Sequence, residues 1–512
     1  MAASSKVEGP DLAAGLGIAA IKDGETLAGH VGEETVLLSR RGGQFFAVSG
    51  ACTHYGGPLS HGLVSGDRVH CPWHHACFSL RTGEALTAPA FDALKTWRVE
   101  EDGRQVFVRE PLSAPSPSPA ARAPTPALSR IVIVGGGAAG FAAAEMLRRQ
   151  GFAGDLTMIS GDADPPVDRP NLSKDYLSGE APSEWIPLKP AGFYDENRID
   201  LRLETTIARI EAKERRLISA GGEAFAYDAL LLATGASPIR LKGFESEKVH
   251  VLRTLRDADA LIAAAAGARR VVVIGAGFIG LEAAASLRTR GLEVDVVTPD
   301  AAPLVGVLGE QIAGFVRSIH EAHGVRFHLQ QSAERFDGER VHLKGGQTLK
   351  ADAVVMGVGV RPNADLAAGA GLKISDGVEV DAFLRTSDAA IFAAGDVAAF
   401  PDALSGVRAR IEHWTVAERQ GQVAAINMLG GEEAYVTTPF FWSAHYDKSL
   451  RYVGYAPKWD KVEIDGSIAA ANFTARYRSN GRLLAAVSLN RDRENLEIEQ
   501  SLEAARREAS GR

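Results

Sequence analysis

Short apolar runs recur along this chain, and the residues after each run divide the sequence into two styles. Before about residue 111 the runs are brief and β-type, such as Thr35-Val36-Leu37-Leu38 and Phe45-Phe46-Ala47-Val48, with glycine turns between them. Branched and aromatic residues punctuated in this way predict a small all-β module from about Asp11 to Pro111. After about residue 128 the runs lead into glycine-rich turns and alanine-rich helical stretches, which is the alternation of an α/β chain. Ile131-Val132-Ile133-Val134 precedes a helix predicted over 141–149, and Val271-Val272-Val273-Ile274 precedes one beginning Leu281-Glu282. Strand-like patterning returns from Phe440-Phe441-Trp442-Ser443 to about Val487. Between the two styles, residues 111–126 carry proline too densely for helix or sheet. They predict an extended tether at about 3.1 Å per residue, and the clearest boundary in the chain.

Length and composition bound this picture. At 512 residues the chain exceeds one core and suggests three or four domains. Its 46% apolar and 23% charged residues are those of an ordinary globular protein. A formal net charge of −8 argues against a nucleic-acid partner, which needs a basic face to displace counterions. No run approaches the roughly 20 apolar residues that cross a bilayer. The start, Met1-Ala2-Ala3-Ser4-Ser5-Lys6, lacks a secretory pattern, and Arg40-Arg41 precedes Gly42-Gly43-Gln44 rather than an apolar segment. Three cysteines, two of them candidate iron ligands, leave no pair for a disulfide, so the chain is expected in a reducing cytoplasm, with no membrane span.

The two glycine turns carry candidate chemistry. Gly135-Gly136-Gly137-Ala138-Ala139-Gly140 and Gly275-Ala276-Gly277-Phe278-Ile279-Gly280 each stand between an apolar strand and a helix. In such a turn the first glycine allows the bend and the second lets backbone approach a pyrophosphate. The third allows close helix–strand packing at an anion-binding helix N-terminus. One copy is weak evidence, whereas two copies in the right context predict two dinucleotide sites. Asp162 comes after the strand that succeeds the first turn and is placed to accept from an adenosine ribose. After the second, Thr298-Pro299-Asp300 places Asp300, and no arginine, near the position that selects between nicotinamide cofactors, which leans to NADH with NADPH the alternative.

A second chemistry lies in the β module. Cys52-Thr53-His54 and Cys71-Pro72-Trp73-His74 pair each cysteine with its own histidine, the ligand set of a Rieske [2Fe–2S] cluster. A zinc site of two cysteines and two histidines competes, although zinc usually groups Cys with Cys and His with His. The surrounding residues, from Ala51 to Leu59 and from Cys71 to Phe78, resemble the cluster loops of Rieske ferredoxins. Respiratory Rieske proteins have a loop disulfide where this chain has Gly57 and Trp73, and hydrogen-bonding Ser and Tyr where it has Ala76 and Phe78. The resemblance therefore implies a potential toward the low end of about −150 to +300 mV. Cys77 reads as a small buried residue beside the loop, with a regulatory thiol as the alternative.

Residues 166–174, Pro-Val-Asp-Arg-Pro-Asn-Leu-Ser-Lys, resemble the ferredoxin-reductase branch of the FAD-dependent pyridine-nucleotide oxidoreductases. Ala233-Thr234-Gly235, Gly357-Val358-Gly359 with Arg361-Pro362-Asn363, and Ala394-Gly395-Asp396 fit the same family in the same order. With Lys448-Ser449-Leu450-Arg451-Tyr452, the whole is similar to the apoptosis-inducing-factor-like subgroup in which a Rieske module precedes the reductase.

The resemblance implies a multidomain chain: an N-terminal all-β Rieske module (1–110), a linker (111–128), two Rossmann-like α/β dinucleotide-binding domains and a C-terminal α+β interface domain (436–512). The FAD-binding domain would cover 129–250 and 372–435, and the NAD(P)H-binding domain 251–371. It places FAD at Gly135, Gly137, Gly140, Asp162, Arg169, Lys174 and Asp396, with Thr234, Gly235, Gly359 and Gly395 as further cofactor-binding residues. Trp414 would pack on the flavin or serve as an ordinary core aromatic. The nicotinamide cofactor falls at Gly275, Gly277, Gly280, Glu282 and Asp300. Lys174 is expected to pair with Asp168 or Glu282, and Lys174, Glu282 and Trp414 are the candidate catalytic residues. Cys52, His54, Cys71 and His74 hold the cluster. No cysteine lies beyond Cys77, which excludes a dithiol relay.

The implied activity is transfer of electrons from NAD(P)H through FAD to the chain's own cluster. A redox-protein acceptor would come next: a ferredoxin, an oxygenase component or a cytochrome. The alternative is an NADH-sensing signalling flavoprotein. His323, His328 and Glu321 also mimic the two-histidine, one-carboxylate iron site of a Rieske oxygenase, but in the nicotinamide domain.

Overall fold

The computed structural model describes residues 9–112 and 128–511, in two compact units. Among the described residues no helix is long and apolar enough to cross a membrane.

The first unit is all-β through residue 112. Its larger sheet joins β1 (Leu16–Gly17), β2 (Thr26–Val31), β3 (Glu34–Arg41), β4 (Gln44–Ser49), β9 (Thr96–Glu101) and β10 (Gln105–Pro111) in the order β1-β10-β9-β4-β3-β2. The smaller joins β5 (Leu63–Ser65), β6 (Arg68–His70), β7 (Cys77–Ser79) and β8 (Ala85–Thr87) in sequence. Gly42 and Gly43 close the β3–β4 hairpin at φ of 59° and 78°, the left-handed conformations that a two-residue turn requires.

Alternation along β3 then sorts its side chains to opposite faces. Val36 and Leu38 join one core with Leu12, Phe45 and Trp97. Leu37, with Val48 from β4, joins another that contains Cys52, Cys71, Ala76 and Phe78. The sheet thus supplies the apolar floor on which both Cys–His loops rest.

Pro111 corrects one expectation. It ends β10, paired opposite Trp97, rather than beginning the tether. The register shifts between Val108 and Pro111, and such an irregularity tolerates the missing N–H. The rest of the expected tether, 113–127, lies outside the described residues.

In the second unit, the strand Arg130–Val134 lies parallel between Asp155–Ile159 and Ala229–Leu232, with Ile199–Arg202 and Ile391–Ala393 at the edges. A second parallel sheet runs Val249–His250, Ala353–Met356, Arg270–Ile274, Glu293–Thr298, Arg326–Leu329. The first sheet takes its final strand from Ile391–Ala393, so the second sheet is an insertion in its chain. Val249 pairs with Val354, which moves the insertion's start ahead of the expected residue 251.

Both sheets are buried on two faces, so their strands read as unbroken apolar runs; Val271, Val272 and Val273 are wholly buried. The helices after the glycine turns are Ala138–Arg149 and Phe278–Thr289. Each starts a turn ahead of its sequence-based boundary, because the glycine turn itself delivers the first helical residues.

The C-terminal sheet is antiparallel, with strand order Phe440–His445, Lys448–Gly454, Arg482–Leu489, Asn472–Ser479, Lys461–Ser467. The helix Asp492–Ala509 comes after it, with acidic residues in the first turn and arginines in the last, as the helix dipole favours.

Candidate functional site

The two Cys–His loops close in the same way. The Cys52 N–H donates to Gly57 O (2.9 Å) and the Gly56 N–H to Cys52 O (2.8 Å); the Cys71 N–H donates to Ala76 O (2.8 Å) and the His75 N–H to Cys71 O (3.1 Å). Two such loops, one after β4 and one between β6 and β7, bring the four donors together in pairs. Cys52 shares a thiol hydrogen bond with Cys71, and His54 Nδ1 lies 3.1 Å from His74 Nδ1.

Both sulfurs are buried. The bond to Cys71, and then burial, push the Cys52 thiol above its ordinary range. Burial also holds the His54 imidazole neutral, down to about 3. Positive charge supplied between such groups reverses the thiols' preference and binds neutral imidazoles, so the residues fit an iron–sulfur cluster. Pairing by element matches one iron on sulfur and one on nitrogen.

Gly57 has a packing reason. A Cβ there would stand 2.7 Å from Cys71 Sγ. Ala76 and Phe78 are fully buried against the loops and offer no side-chain donor. Cys77 is buried as well, its sulfur 3.7 Å from His70 Nε2.

In the second unit a cavity of about 560 Å³ opens at the first glycine turn. It gathers Gly135, Gly137, Asp162, Arg169, Lys174, Thr234, Gly235, Glu282, Gly395, Asp396 and Trp414, residues from both nucleotide domains and from the helix Trp414–Met428. Gly140 stands behind it: a Cβ there would lie 1.9 Å from Gly135 O, so the third glycine serves helix–strand packing. Gly280 does the same at the second turn, 2.3 Å from Gly275 O, while Gly277 has open space around it. Gly359 is not in the cavity lining; its carbonyl accepts the Ile239 N–H at 3.0 Å. Asp300 is exposed beyond the second sheet and accepts the Thr298 hydroxyl at 3.1 Å.

Several of the cavity's charged groups are paired. Arg169 Nη2 lies 3.1 Å from Asp162, and Arg253 Nη2 lies 2.9 Å from Asp396. Burial, joined by the like charge of Arg253, lowers the Arg169 guanidinium to about 10. A pocket this rich in cation–carboxylate pairs and backbone amides can hold a pyrophosphate and its ribityl hydroxyls.

Lys174 Nζ binds Glu282 Oε2 at 2.8 Å and Pro170 O at 3.1 Å, which selects Glu282 over Asp168 as its partner. Asp168 is buried instead, its carboxyl raised to about 7 chiefly by desolvation. Glu418, one turn along the helix from Trp414, is likewise raised well above the carboxylate range by burial. Trp414 itself lines the cavity.

Sequence reasoning missed four contributors. Arg253 bears no motif of its own, Ser173 and Ser443 are ordinary serines, and residues 205–208 line a second cavity of about 470 Å³ that shares Gly135, Gly161, Thr234 and Asn363 with the first. The mononuclear-iron alternative is not assembled. His328 binds Asp295, His323 stacks on Tyr446 at 3.6 Å, and Glu321 pairs with Arg317.

Comparison with known proteins agrees with this geometry. Residues 129–421 match the model of the pyridine nucleotide-disulphide oxidoreductase family, residues 17–98 that of the Rieske [2Fe-2S] domain and residues 440–510 that of the reductase C-terminal domain. The chain is 34% identical to apoptosis-inducing factor 3 of Homo sapiens over 495 residues, covering 92% of this chain and 80% of that protein. It is 39% identical to the ferredoxin–NAD(+) reductase component of an anthranilate 1,2-dioxygenase system from Burkholderia cepacia, covering 71% and 91%. Among solved structures, the covalent putidaredoxin reductase–putidaredoxin complex is similar with a TM-score of 0.71 and 31% identity, covering 73% and 93%.

Proposed function

The chain belongs to the pyridine nucleotide-disulphide oxidoreductase family, with a Rieske module ahead of that core, and from this premise we propose that it is a reductase carrying electrons from NADH through FAD to its own cluster and on to a redox protein. The observation that carries the reading is one chain holding both a donor set of paired cysteines and paired histidines and a charge-lined cavity at the first of two nucleotide turns. FAD supplies the conversion between a two-electron hydride donor and a one-electron cluster.

The residues around it bind and orient. The backbone of 135–139 and the 396–253 and 162–169 ion pairs face the cavity and suit the dinucleotide. Lys174 and Glu282 stand where the two nucleotide domains meet and fix the local charge. Asp300 suits an adenosine ribose hydroxyl of NADH. No dithiol is available, since every cysteine lies at or before Cys77. The related reductases are named for a ferredoxin and for putidaredoxin, and the acceptor in this reading is likewise a redox protein: a ferredoxin, an oxygenase component or a cytochrome.

Steady-state assay of the full chain with NADH and either cytochrome c or a ferredoxin tests the proposal. Cys71→Ser is expected to retain reduction of a small dye by NADH while losing at least about tenfold in protein reduction. Equal rates for the variant and the natural chain with every protein acceptor would remove the cluster from the path. A long-lived NADH-reduced state with little turnover would favour the sensing alternative.

A further inference from the structure

Glu282 is 4% exposed and takes three donors: Ser173 Oγ at 2.6 Å, Lys174 Nζ at 2.8 Å and Ser443 Oγ at 2.6 Å. They come from separate parts of the chain. Ser173 and Lys174 belong to the segment beside the first glycine turn, Glu282 to the helix of the second, and Ser443 to the first strand of the C-terminal sheet.

The match between helix and strand is periodic. Positions four apart on a helix rise about 6 Å on one face, close to the roughly 6.8 Å between alternate residues of a strand. Phe278 and Glu282 accordingly meet Phe441 and Ser443: the two phenylalanine rings lie 4.7 Å apart, and the carboxylate accepts the serine. One turn further, Ser286 Oγ donates back to the carbonyls of Ser173 (2.8 Å) and Lys174 (3.1 Å). Phe441, Phe278, Glu282, Ser173 and Lys174 all line the cavity. Ser443 itself is wholly buried and has no place in that lining.

We propose that Ser443 and Ser173 are positioning residues for hydride transfer, holding the Glu282 carboxylate, and through it the Lys174 ammonium, in one arrangement against the cavity. The C-terminal sheet then has a direct part in the chemistry of a cavity lined mainly by the nucleotide domains. Among the described residues Oε1 of Glu282 takes only the Ser443 hydroxyl, while Oε2 shares Ser173 and Lys174. Removing Ser443 leaves Oε1 unsatisfied in a buried place, and the carboxylate must turn toward Lys174 to recover a partner. Each hydroxyl also directs the positive end of its dipole at the carboxylate. Its loss makes the local potential more negative, which disfavours adding electrons nearby. The charged groups that line the cavity beside Lys174 and Glu282 are Asp162, Arg169, Arg240, Arg253, Asp257, Asp396 and Glu412.

The inference rests on the reading that NADH reduces a flavin in this cavity. The test uses the full-length FAD-loaded protein with Ser443→Ala, Ser173→Ala and Ser443→Thr, and measures three quantities. These are the limiting rate of anaerobic flavin reduction, the Kd for NADH and the flavin midpoint potential. Each alanine variant is expected to lower the limiting rate about tenfold, shift the potential downward and move Kd less than about twofold. Ser443→Thr, which keeps the hydroxyl, is expected to restore rate and potential.

Two alanine variants with unchanged rate and potential would overturn the positioning role. So would a rate loss matched by weaker NADH binding, or a folded threonine variant as slow as Ser443→Ala. Failure of NADH to reduce the natural protein is a separate outcome and refutes the underlying reading instead.

Discussion

Gly140 and Gly280 hold equivalent positions, and their substitutions separate the two nucleotide sites. A methyl at either collides with the carbonyl of the turn's first glycine, at 1.9 Å and 2.3 Å, and the obstacle in both cases is backbone. Gly140→Ala is expected to yield protein that purifies without FAD. Gly280→Ala is expected to retain FAD while NADH binds at least about tenfold more weakly, both read by flavin absorbance and a reduction titration. Asp300→Ala removes one hydrogen-bond acceptor, so the KM for NADH should rise about tenfold, about 1.4 kcal/mol, with NADPH little changed. At this scale the sequence was readable where a residue type is chemically compulsory: the turn glycines, and cysteines and histidines in pairs. It was silent on Ser443, which lies 161 positions from Glu282 and has no pattern that marks it. Lys174 could be assigned to two partners from sequence, and only packing selected one.

Elements were legible where periodicity and turn chemistry agree, as in the strands Arg130–Val134 and Arg270–Ile274. Pro111 was misread because a breaker was taken to act at its own position, whereas the register shift after Val108 accommodates it at the strand's end. A helix–strand contact in the second unit has a measurable signature. His320, on the helix Val305–Ala322, lies 3.1 Å from His445 at the end of Phe440–His445, and both are wholly buried. Burial lowers them to about 2 and about 3.

The unfolded chain protonates these histidines below about 6.5 while the folded chain does not. Their neutral fit is therefore fully present above that pH and is lost as pH falls toward their folded values. Asp168, raised to about 7, acts in the opposite sense: its contribution is lost as pH rises from about 4 to about 7. The comparison with His320→Asn isolates the histidine. Between pH 7 and pH 5 the natural chain is expected to lose about 2 kcal/mol more than the variant, measured by denaturant unfolding at each pH. Equal pH slopes would show that His320 titrates alike in the folded and unfolded chains, and would contradict its burial as a neutral ring.

At the scale of the whole molecule, the order of modules was legible because each announces itself chemically: Cys–His pairs, then two glycine turns, then a strand-rich tail. The insertion of one nucleotide domain into the other was expected from family likeness and is traced in the structure by Ile391–Ala393 completing the first sheet. What composition could not supply is the meeting of groups distant in the chain, such as the Arg253–Asp396 pair, 143 positions apart. The central claim is that electrons from NADH pass through FAD to this chain's own cluster. Anaerobic mixing of the FAD- and cluster-loaded protein with NADH, sampled by freeze-quench EPR, tests it directly. The account requires flavin bleaching and then the signal of a reduced Rieske cluster in the same sample; a fully bleached flavin beside a cluster that stays oxidised would contradict it.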